Sequence, residues 1–158
     1  GYFGVKRFDR VGADPSRKVH MASAGALLES SHRVPNLEYE LLMRLTSLLT
    51  DSACDIDRLY RLMCFNVFIG NRDDHAKNFS FLYNETAGKW SLSPAYDLTQ
   101  NPGTYGERAT TVNGKGKGIE LADLLAVGVK AGLKQSWARD VAEDVRAKVE
   151  SVGLLDCS

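Results

Sequence analysis

The chain has 158 residues, of which 44% are hydrophobic and 25% charged, a composition typical of one globular domain with a full core. Its 20 basic and 20 acidic residues give a net charge of zero, which argues against nucleic-acid binding through bulk positive charge. No apolar run reaches the length of about 18 residues that a membrane span needs. The three cysteines, Cys54, Cys64 and Cys157, form no CxxC pair, so we expect free thiols and a cytoplasmic location.

The first half of the chain combines a strand with helices. Residues 2–9 alternate between apolar and polar positions as a strand does, and residues 10–20 are typical of a turn. Residues 21–30 are compatible with a short helix. From Asn36, the predicted N-cap, apolar residues recur at helical spacing. A second helix over 56–70 is apolar on most sides, which predicts that it is buried.

The second half begins with a β-hairpin and ends with helices. Two alternating runs within 78–94 flank a turn at Gly88, the pattern of a hairpin. Residues 101–118 are rich in glycine and polar side chains, so we expect a mobile loop. Helical patterns follow at 119–133 and 135–152. These patterns predict an α+β fold that is predominantly helical, with one small β-hairpin after a buried helix.

Functional groups concentrate between the buried helix and the hairpin, in FIGNRDDHAKNFSFLYN, residues 68–84. Asp73 and Asn78 are five residues apart, and Asp97 follows the hairpin. The same order occurs in phosphoryl transfer, where the first Asp orients the attacking hydroxyl and the other two groups hold magnesium. Magnesium prefers hard oxygen ligands, and an Asp with a reference pKa of about 3.9 is ionised at neutral pH. The alternative interpretation is a hydrophilic turn without chemistry.

Two motifs resemble the C-terminal part of the HipA family of serine/threonine kinases, the toxins of bacterial toxin–antitoxin pairs. They are NRDDHAKNFSFL and WSLSPAYDL. The order of elements is that of a protein-kinase C-terminal lobe, although the H-R-D and D-F-G words of ordinary protein kinases are absent. VKRFDR, near the start, is similar to the family's adenine-binding hinge strand. The resemblance covers residues 4–100, and the C-terminal helices fit the family's helical lobe more loosely.

The resemblance implies one kinase-like C-terminal lobe over residues 1–158. Its segments are a hinge-like strand (1–9), helices (36–70), a catalytic loop with hairpin and metal-binding Asp (71–98), a mobile loop (101–118) and C-terminal helices (119–152). The N-terminal lobe of such a kinase, with its phosphate-covering loop and lysine, is expected to lie outside this chain, which opens in mid-strand without an initiator Met. NGKGKG does not replace that loop. We therefore expect this chain alone to be inactive or nearly so.

The resemblance also implies roles for residues of the catalytic loop. Asp73 would be the catalytic base, two residues before His75. His75 and Lys77 are candidates for contacting the phosphates of ATP. Asn78 and Asp97 would be the ligands of Mg²⁺.

The nucleotide would lie against the start of the chain. The resemblance implies that the backbone of Lys6 and Phe8 meets the adenine of ATP and that Asp9 lies near the ribose. Phe8 is also expected to be a packing residue whatever the function. Asp74, next to the implied base, is expected to be a solvated or loop-stabilising charge.

Partners and competing functions complete the expectations. The resemblance implies a protein substrate, such as a component of translation, and a DNA-binding antitoxin partner, whereas the neutral charge predicts no direct nucleic-acid binding. One alternative is a magnesium-dependent phosphohydrolase or nuclease using Asp73, Asp74, His75 and Asp97, which would need carboxylates that bridge two metals. Adjacent residues of an extended loop point apart, which weakens this alternative. The other alternative is a non-catalytic protein-interaction module.

Overall fold

The computed structural model describes residues 2, 4–12, 16–29, 37–101, 103 and 106–155. Within these residues the helices are α1 (Ala24–Leu27), α2 (Tyr39–Thr50), α3 (Ala53–Phe68), α4 (Leu121–Lys130) and α5 (Gln135–Ser151), with a 3₁₀ turn at Ala76–Asn78. The strands are β1 (His20–Ser23), β2 (Leu37–Glu38), β3 (Ser80–Asn84), β4 (Lys89–Leu92) and β5 (Thr110–Thr111). This is the predominantly helical α+β fold that the sequence predicts. None of the described helices has both the length and the apolar character to cross a bilayer.

The four longer helices enclose the core because each buries one apolar face. The helices pack in the pairs α2–α3, α3–α5 and α4–α5. The long helix α3 begins where the Ser52 hydroxyl accepts a hydrogen bond from the amide of Asp55 at 3.3 Å, an N-cap. It stops before Gly70, whose φ of 67° is left-handed and turns the chain away. The loop that follows is therefore held at the end of a buried helix.

Tyr60 lies where α3, α4 and α5 meet. Its side chain is fully buried, and its hydroxyl donates to the carbonyl oxygen of Ala138 at 3.1 Å. The ring fits because the facing residue of α4 is Gly128, where a Cβ atom would lie 2.8 Å from ring carbon Cε2. This close approach fixes the spacing of the three helices.

The sheet beside the helices has one strand more than the predicted hairpin. β3 and β4 pair antiparallel as predicted, with Phe81 opposite Leu92. β1 adds to the other edge of β3, giving the order β1-β3-β4. The short helix predicted over 21–30 is therefore corrected: its first residues belong to β1, and only Ala24–Leu27 are helical. The sequence gives no local signal for this change, because β1 is defined by pairing with a strand about 60 residues later.

Two further predictions at element boundaries are corrected. Residues 4–9 do not form the predicted strand. Strand-like pairing in this part of the described chain is limited to an isolated bridge between Arg10 and Lys18. The helix predicted from Asn36 begins at Tyr39 with Glu38 as the capping residue, and Asn36 itself lies outside the described residues. Leu37–Glu38 form β2 instead, paired in parallel with β5, which lies inside the segment predicted to be a mobile loop.

Candidate active site

The loop after α3 folds back on itself between Asp73 and Asn78. Asp73 is exposed, whereas both of its backbone groups are engaged. Its amide donates to the Asn71 side-chain oxygen at 3.3 Å, and its carbonyl accepts from the Asn78 amide nitrogen at 3.0 Å. The backbone amide of Asn78 donates to His75 O at 2.9 Å and closes the 3₁₀ turn. Because Nδ2 of Asn78 is used for Asp73, the Oδ1 atom is the end of this side chain left for another ligand.

Tyr96 brings the second carboxylate, Asp97, to this loop. The Tyr96 hydroxyl donates to the carbonyl of Lys77 at 2.5 Å. Since a hydroxyl has only one proton, the 2.6 Å contact with Ser80 is a bond that Ser80 donates to Tyr96. Burial is the largest of the effects that raise the pKa of Tyr96, and the nearby Asp97 charge adds to it. The hydroxyl therefore stays protonated and keeps residues 96–97 beside residues 77–78.

The Asp97 backbone has a conformation that is uncommon for residues other than glycine. Its φ is +56°, in the left-handed region, and its side chain is exposed. Asp tolerates this region better than most residues, but such backbones are enriched at ligand and active sites. The unusual conformation presents the Asp97 carboxylate to solvent immediately after the anchored Tyr96.

The start of the chain reaches the same place through Phe8. The Phe8 and Tyr96 rings are 5.7 Å apart, which confirms that Phe8 packs against its surroundings. The Asp9 carboxylate is enclosed by two guanidinium groups, from Arg7 at 2.6 Å and Arg10 at 2.5 Å. The hydrogen bond from Arg7 is the main reason that the pKa of Asp9 is lowered to about 2. Lys6 is exposed.

Asp74 is buried, so its interpretation as a solvated charge is wrong and its interpretation as a loop-stabilising charge is confirmed. Its exposed fraction is 0%, and its Oδ2 atom accepts from the Tyr39 hydroxyl at 2.7 Å and from Arg108 Nη2 at 2.8 Å. Its Oδ1 atom accepts from the Thr110 amide at 3.3 Å, and its carbonyl accepts from the Thr110 hydroxyl. The side chain of Asp74 therefore points into the protein while that of Asp73 points out.

A chain of buried amides extends this network under the loop. The Tyr39 hydroxyl accepts from the Asn66 side chain at 3.1 Å, and Asn66 accepts from the Asn71 side chain at 3.1 Å. Asn71 is 1% exposed, and its remaining side-chain oxygen accepts the Asp73 amide. Burial raises the pKa of Tyr39 well above its usual value, so its hydroxyl remains a donor at all physiological pH. Each of these side chains supports the backbone that carries Asp73.

Sequence reasoning missed Arg108 and Tyr39 as parts of the site. Arg108 lies in the segment predicted to be a mobile loop, yet its side chain is 4% exposed and paired with Asp74. Tyr39 was predicted only as part of an amphipathic helix. Partners 34 and 35 residues from Asp74 give no signal in local periodicity or spacing. Whether residues 101–118 are mobile stays a prediction, and residues 102, 104 and 105 of this segment lie outside the described residues. Arg108–Thr111 are hydrogen-bonded to the loop after α3 and to β2.

The remaining candidates lie on the 3₁₀ turn. His75 is half-buried, and its Nδ1 atom is buried without a hydrogen-bond partner among the described residues. The Lys77 side chain is exposed, while its carbonyl oxygen accepts the Tyr96 hydroxyl. The structure thus places both residues on the same loop as Asp73, with roles at the phosphates that stay predictions.

The oxygen atoms at this site fit magnesium better than a softer metal. Among the described residues, no group of three or more His, Cys, Asp or Glu side chains converges as a metal site. Mg²⁺ needs no such group, because it is commonly held by one or two protein oxygens with water and substrate phosphates completing the shell. Asn78 Oδ1 and the exposed Asp97 carboxylate are two hard oxygen donors of this type. The residues present therefore fit Mg²⁺.

Comparison with known proteins identifies the family of this chain. A family model described as HipA-like C-terminal domain matches residues 1–152, nearly the whole chain. The chain belongs to this HipA-like family. The predicted resemblance is confirmed.

Two curated relatives come from Sinorhizobium fredii (strain NBRC 101917 / NGR234). One, named "Putative kinase Y4dM", is 28% identical over 155 residues, covering 94% of this chain and 37% of the relative. The other, named "Putative kinase Y4mE", is 33% identical over 101 residues, covering 62% of this chain and 22% of the relative. The chain therefore spans well under half the length of these relatives, whose names assign them to a kinase-like family.

A solved structure of HipA has the same fold as this chain. It is a complex of HipA, HipB and operator DNA from the toxin–antitoxin system of Shewanella oneidensis MR-1. The match has a TM-score of 0.73 at 17% sequence identity and covers 97% of this chain and 42% of the solved chain. At that identity the match shows the fold alone. The described helices and strands thus have the arrangement of the C-terminal region of HipA.

Proposed function

We propose that this chain is the C-terminal catalytic lobe of a HipA-like serine/threonine protein kinase that transfers the γ-phosphoryl group of ATP to a protein hydroxyl. The observation that carries the proposal is the Asp73–Asn78 hydrogen bond at 3.0 Å, which closes a loop with an exposed carboxylate at one end and an amide oxygen at the other. Tyr96 holds the exposed Asp97 beside it. Positioning and charge stabilisation are the two tasks that phosphoryl transfer requires of a protein.

Each side chain has one task in this mechanism. Asp73 orients the substrate hydroxyl and accepts its proton. The oxygen of that hydroxyl attacks the γ-phosphoryl group. Asn78 Oδ1 and Asp97 hold Mg²⁺, which when bound supplies positive charge to the phosphates of ATP. His75 and Lys77 lie between Asp73 and Asn78 in the sequence, and their side chains can donate to phosphate oxygens.

The nucleotide is assigned to the N-terminal side of the site. We place adenine against the backbone of residues 6–8, since Phe8 packs on Tyr96 next to the metal ligand Asp97. Asp9 is proposed to lie near the ribose. Its carboxylate is already shared by Arg7 and Arg10, so it would contact the ribose through the lone pairs that they leave. Those same arginines keep it ionised and able to accept.

The buried position of Asp74 argues against the phosphohydrolase or nuclease alternative. A two-metal site needs carboxylates that bridge both ions. Both oxygens of Asp74 accept hydrogen bonds from the protein interior, and the side chain faces away from Asp73. No observation on the described residues favours a non-catalytic interaction module over a kinase.

The partners are proposed from the relatives. The solved HipA relative is in complex with HipB and operator DNA, which supports a DNA-binding antitoxin as the partner of the whole protein.

The protein substrate is proposed to approach from the side of Arg72. A cavity of about 900 Å³ opens there, lined by apolar, basic and acidic side chains that include Phe68, Arg146 and Glu143. It has room for several side chains of an acceptor segment.

The experiment that tests this proposal replaces one carboxylate at a time in the full-length protein that carries this chain. Asp73→Asn removes the proton acceptor and Asp97→Asn removes one charge from the metal site, so each should abolish transfer of labelled phosphate from ATP. Asp140→Asn, an exposed carboxylate on α5, is the matched control and should retain the wild-type rate. Circular dichroism should show all three variants folded. A wild-type rate in Asp73→Asn would remove this residue from the mechanism.

A further inference from the structure

Arg108 holds the catalytic loop at two points on either side of Asp73. One nitrogen, Nη2, donates to the Asn71 carbonyl at 2.6 Å and to the Asp74 carboxylate at 2.8 Å. Residues 72 and 73 form the short arc of backbone between these two anchors. Because the arginine, Asn71 and Asp74 are each buried, water does not compete for the three groups.

The segment that carries Arg108 makes two more contacts with the same arc. The Ala109 amide donates to the Arg72 carbonyl at 2.9 Å, so the arc is held at its middle as well as at its ends. Thr110 donates from its amide and its hydroxyl to Asp74. Each of residues 108–110 therefore contacts the arc or one of the two residues that anchor it.

Within the described part of the chain, the hydrogen bonds of Asp73 are made by its amide and its carbonyl, and its side chain is exposed. The side chain is therefore positioned through this backbone. A displacement of the arc by about 1 Å would therefore move the carboxylate by a similar distance, and such a misplacement costs about 10²-fold in rate. Replacing a buried ion pair by apolar residues is often neutral for stability, so stability alone does not explain this one.

We propose that Arg108 and Asp74 are positioning residues for the catalytic carboxylate, and that through them residues 108–110 set the geometry of Asp73. This inference rests on the proposed kinase function. It gives the glycine-rich segment a role in positioning Asp73. When residues 108–110 are bound to the arc, Asp73 is in place, and when they are not, Asp73 is free to move. Asp74 has almost no exposed surface that a substrate or nucleotide could touch, and Arg108 lines the cavity of about 900 Å³ only with the 4% of its side chain that is exposed.

The test measures kcat and the KM for ATP of Arg108→Met and Arg108→Lys in the full-length protein. Arg108→Met keeps most of the aliphatic stem but removes both donated bonds. We expect its kcat to fall by about 10²-fold with a KM for ATP within about twofold of wild type, because Phe8 and Asp97 are untouched. Arg108→Lys restores a charged donor and should recover part of the lost kcat.

Gly128→Ala is the control for a purely structural role. It lowers stability by crowding Tyr60, on a part of the core that does not touch the loop. Assayed well below its unfolding temperature, it should retain the wild-type kcat. A folded Arg108→Met with kcat within about twofold of wild type would refute the inference, as would an equal loss of kcat in Gly128→Ala or a loss confined to KM.

A second variant covers the case in which Arg108→Met does not fold. Thr110→Val removes only the hydroxyl that donates to the Asp74 carbonyl and retains the amide contact, so a several-fold fall in kcat supports the inference and a wild-type kcat refutes it. Asp73→Asn, measured in parallel, separates the two proposals. An active Asp73→Asn refutes the kinase mechanism, whereas an inactive Asp73→Asn with a fully active Arg108→Met refutes only the positioning role.

Discussion

Tyr39→Phe removes the hydroxyl that joins helix α2 to the catalytic loop. This hydroxyl is fully buried, donates to the Asp74 carboxylate at 2.7 Å and accepts from the Asn66 amide at 3.1 Å. A bond to a charged group contributes about 1.5–3 kcal/mol, and a neutral bond contributes about 0.5–1.5 kcal/mol. Both partners would be left buried, Asn66 without a partner for that donor and Asp74 with one donor fewer. The variant should therefore lose about 2–4 kcal/mol in its free energy of unfolding.

Urea unfolding followed by circular dichroism measures this loss. With a slope of about 2 kcal/mol per molar urea, a loss of about 3 kcal/mol lowers the midpoint by about 1.5 M. Tyr83→Phe is the matched control, because Tyr83 is half-buried against Trp90 and its hydroxyl makes no hydrogen bond with the described residues. Its free energy of unfolding should change by no more than about 0.5 kcal/mol.

The result that would refute this reasoning is a Tyr39→Phe variant within about 1 kcal/mol of wild type. It would mean that water enters and satisfies Asp74 and Asn66, and that the network under the loop is less tightly closed than its hydrogen bonds indicate. The positioning role of Asp74 would then lose its physical basis, since a hydrated carboxylate does not hold the backbone in one place.

Two further predictions concern the core. Gly128→Ala places a Cβ atom 2.8 Å from the ring of Tyr60. Overpacking costs about 2–3 kcal/mol and the gain in helix propensity returns about 1 kcal/mol, so the variant should be destabilised by about 1–2 kcal/mol. In thermal unfolding, Val129→Ala at an exposed position of the same helix should be nearly neutral. Burial raises the pKa of Cys64 from 9.0 to about 12, so in a Cys157→Ser background a thiol reagent at pH 8 should label exposed Cys54 at once and Cys64 only in denaturant. Because the folded state keeps its proton, the contribution of Cys64 to stability is present below pH 9.0 and is lost between pH 9.0 and about 12; prompt labelling of two thiols in the native protein would contradict this.

The parts of the fold that could be predicted from the sequence are those with local periodicity. Helices α2, α3, α4 and α5 and the β3–β4 hairpin lie where apolar spacing and the turn at Gly88 predict them. β1, β2 and β5 could not be predicted, because strands of two to four residues are defined by partners far away in the chain. A β-strand has little preference of its own until its neighbour is present.

The residues of the candidate site that could be predicted are likewise those with a local signal in the sequence. Asp73 and Asn78 were found because five-residue spacing is a local property, and Asp97 because it follows the hairpin in order. The five-residue spacing to Asn78 also selected Asp73 over its neighbour Asp74, but it could not decide whether Asp74 is a solvated or a loop-stabilising charge. The burial of Asp74, set by donors on α2 and on residues 108–110, decides that choice.

The two adjacent carboxylates illustrate how one short loop can be both rigid and reactive. Neighbouring side chains of an extended backbone point in opposite directions, so Asp74 can face the core only if Asp73 faces solvent. The interior supplies three donors to the Asp74 carboxylate, which makes it an anchor for the loop. Among the described residues no donor to the Asp73 carboxylate is found, so in the proposed mechanism its oxygens are available to the substrate hydroxyl. In the proposed mechanism the base Asp73 is therefore positioned through its fixed neighbour Asp74 and not through its own oxygens.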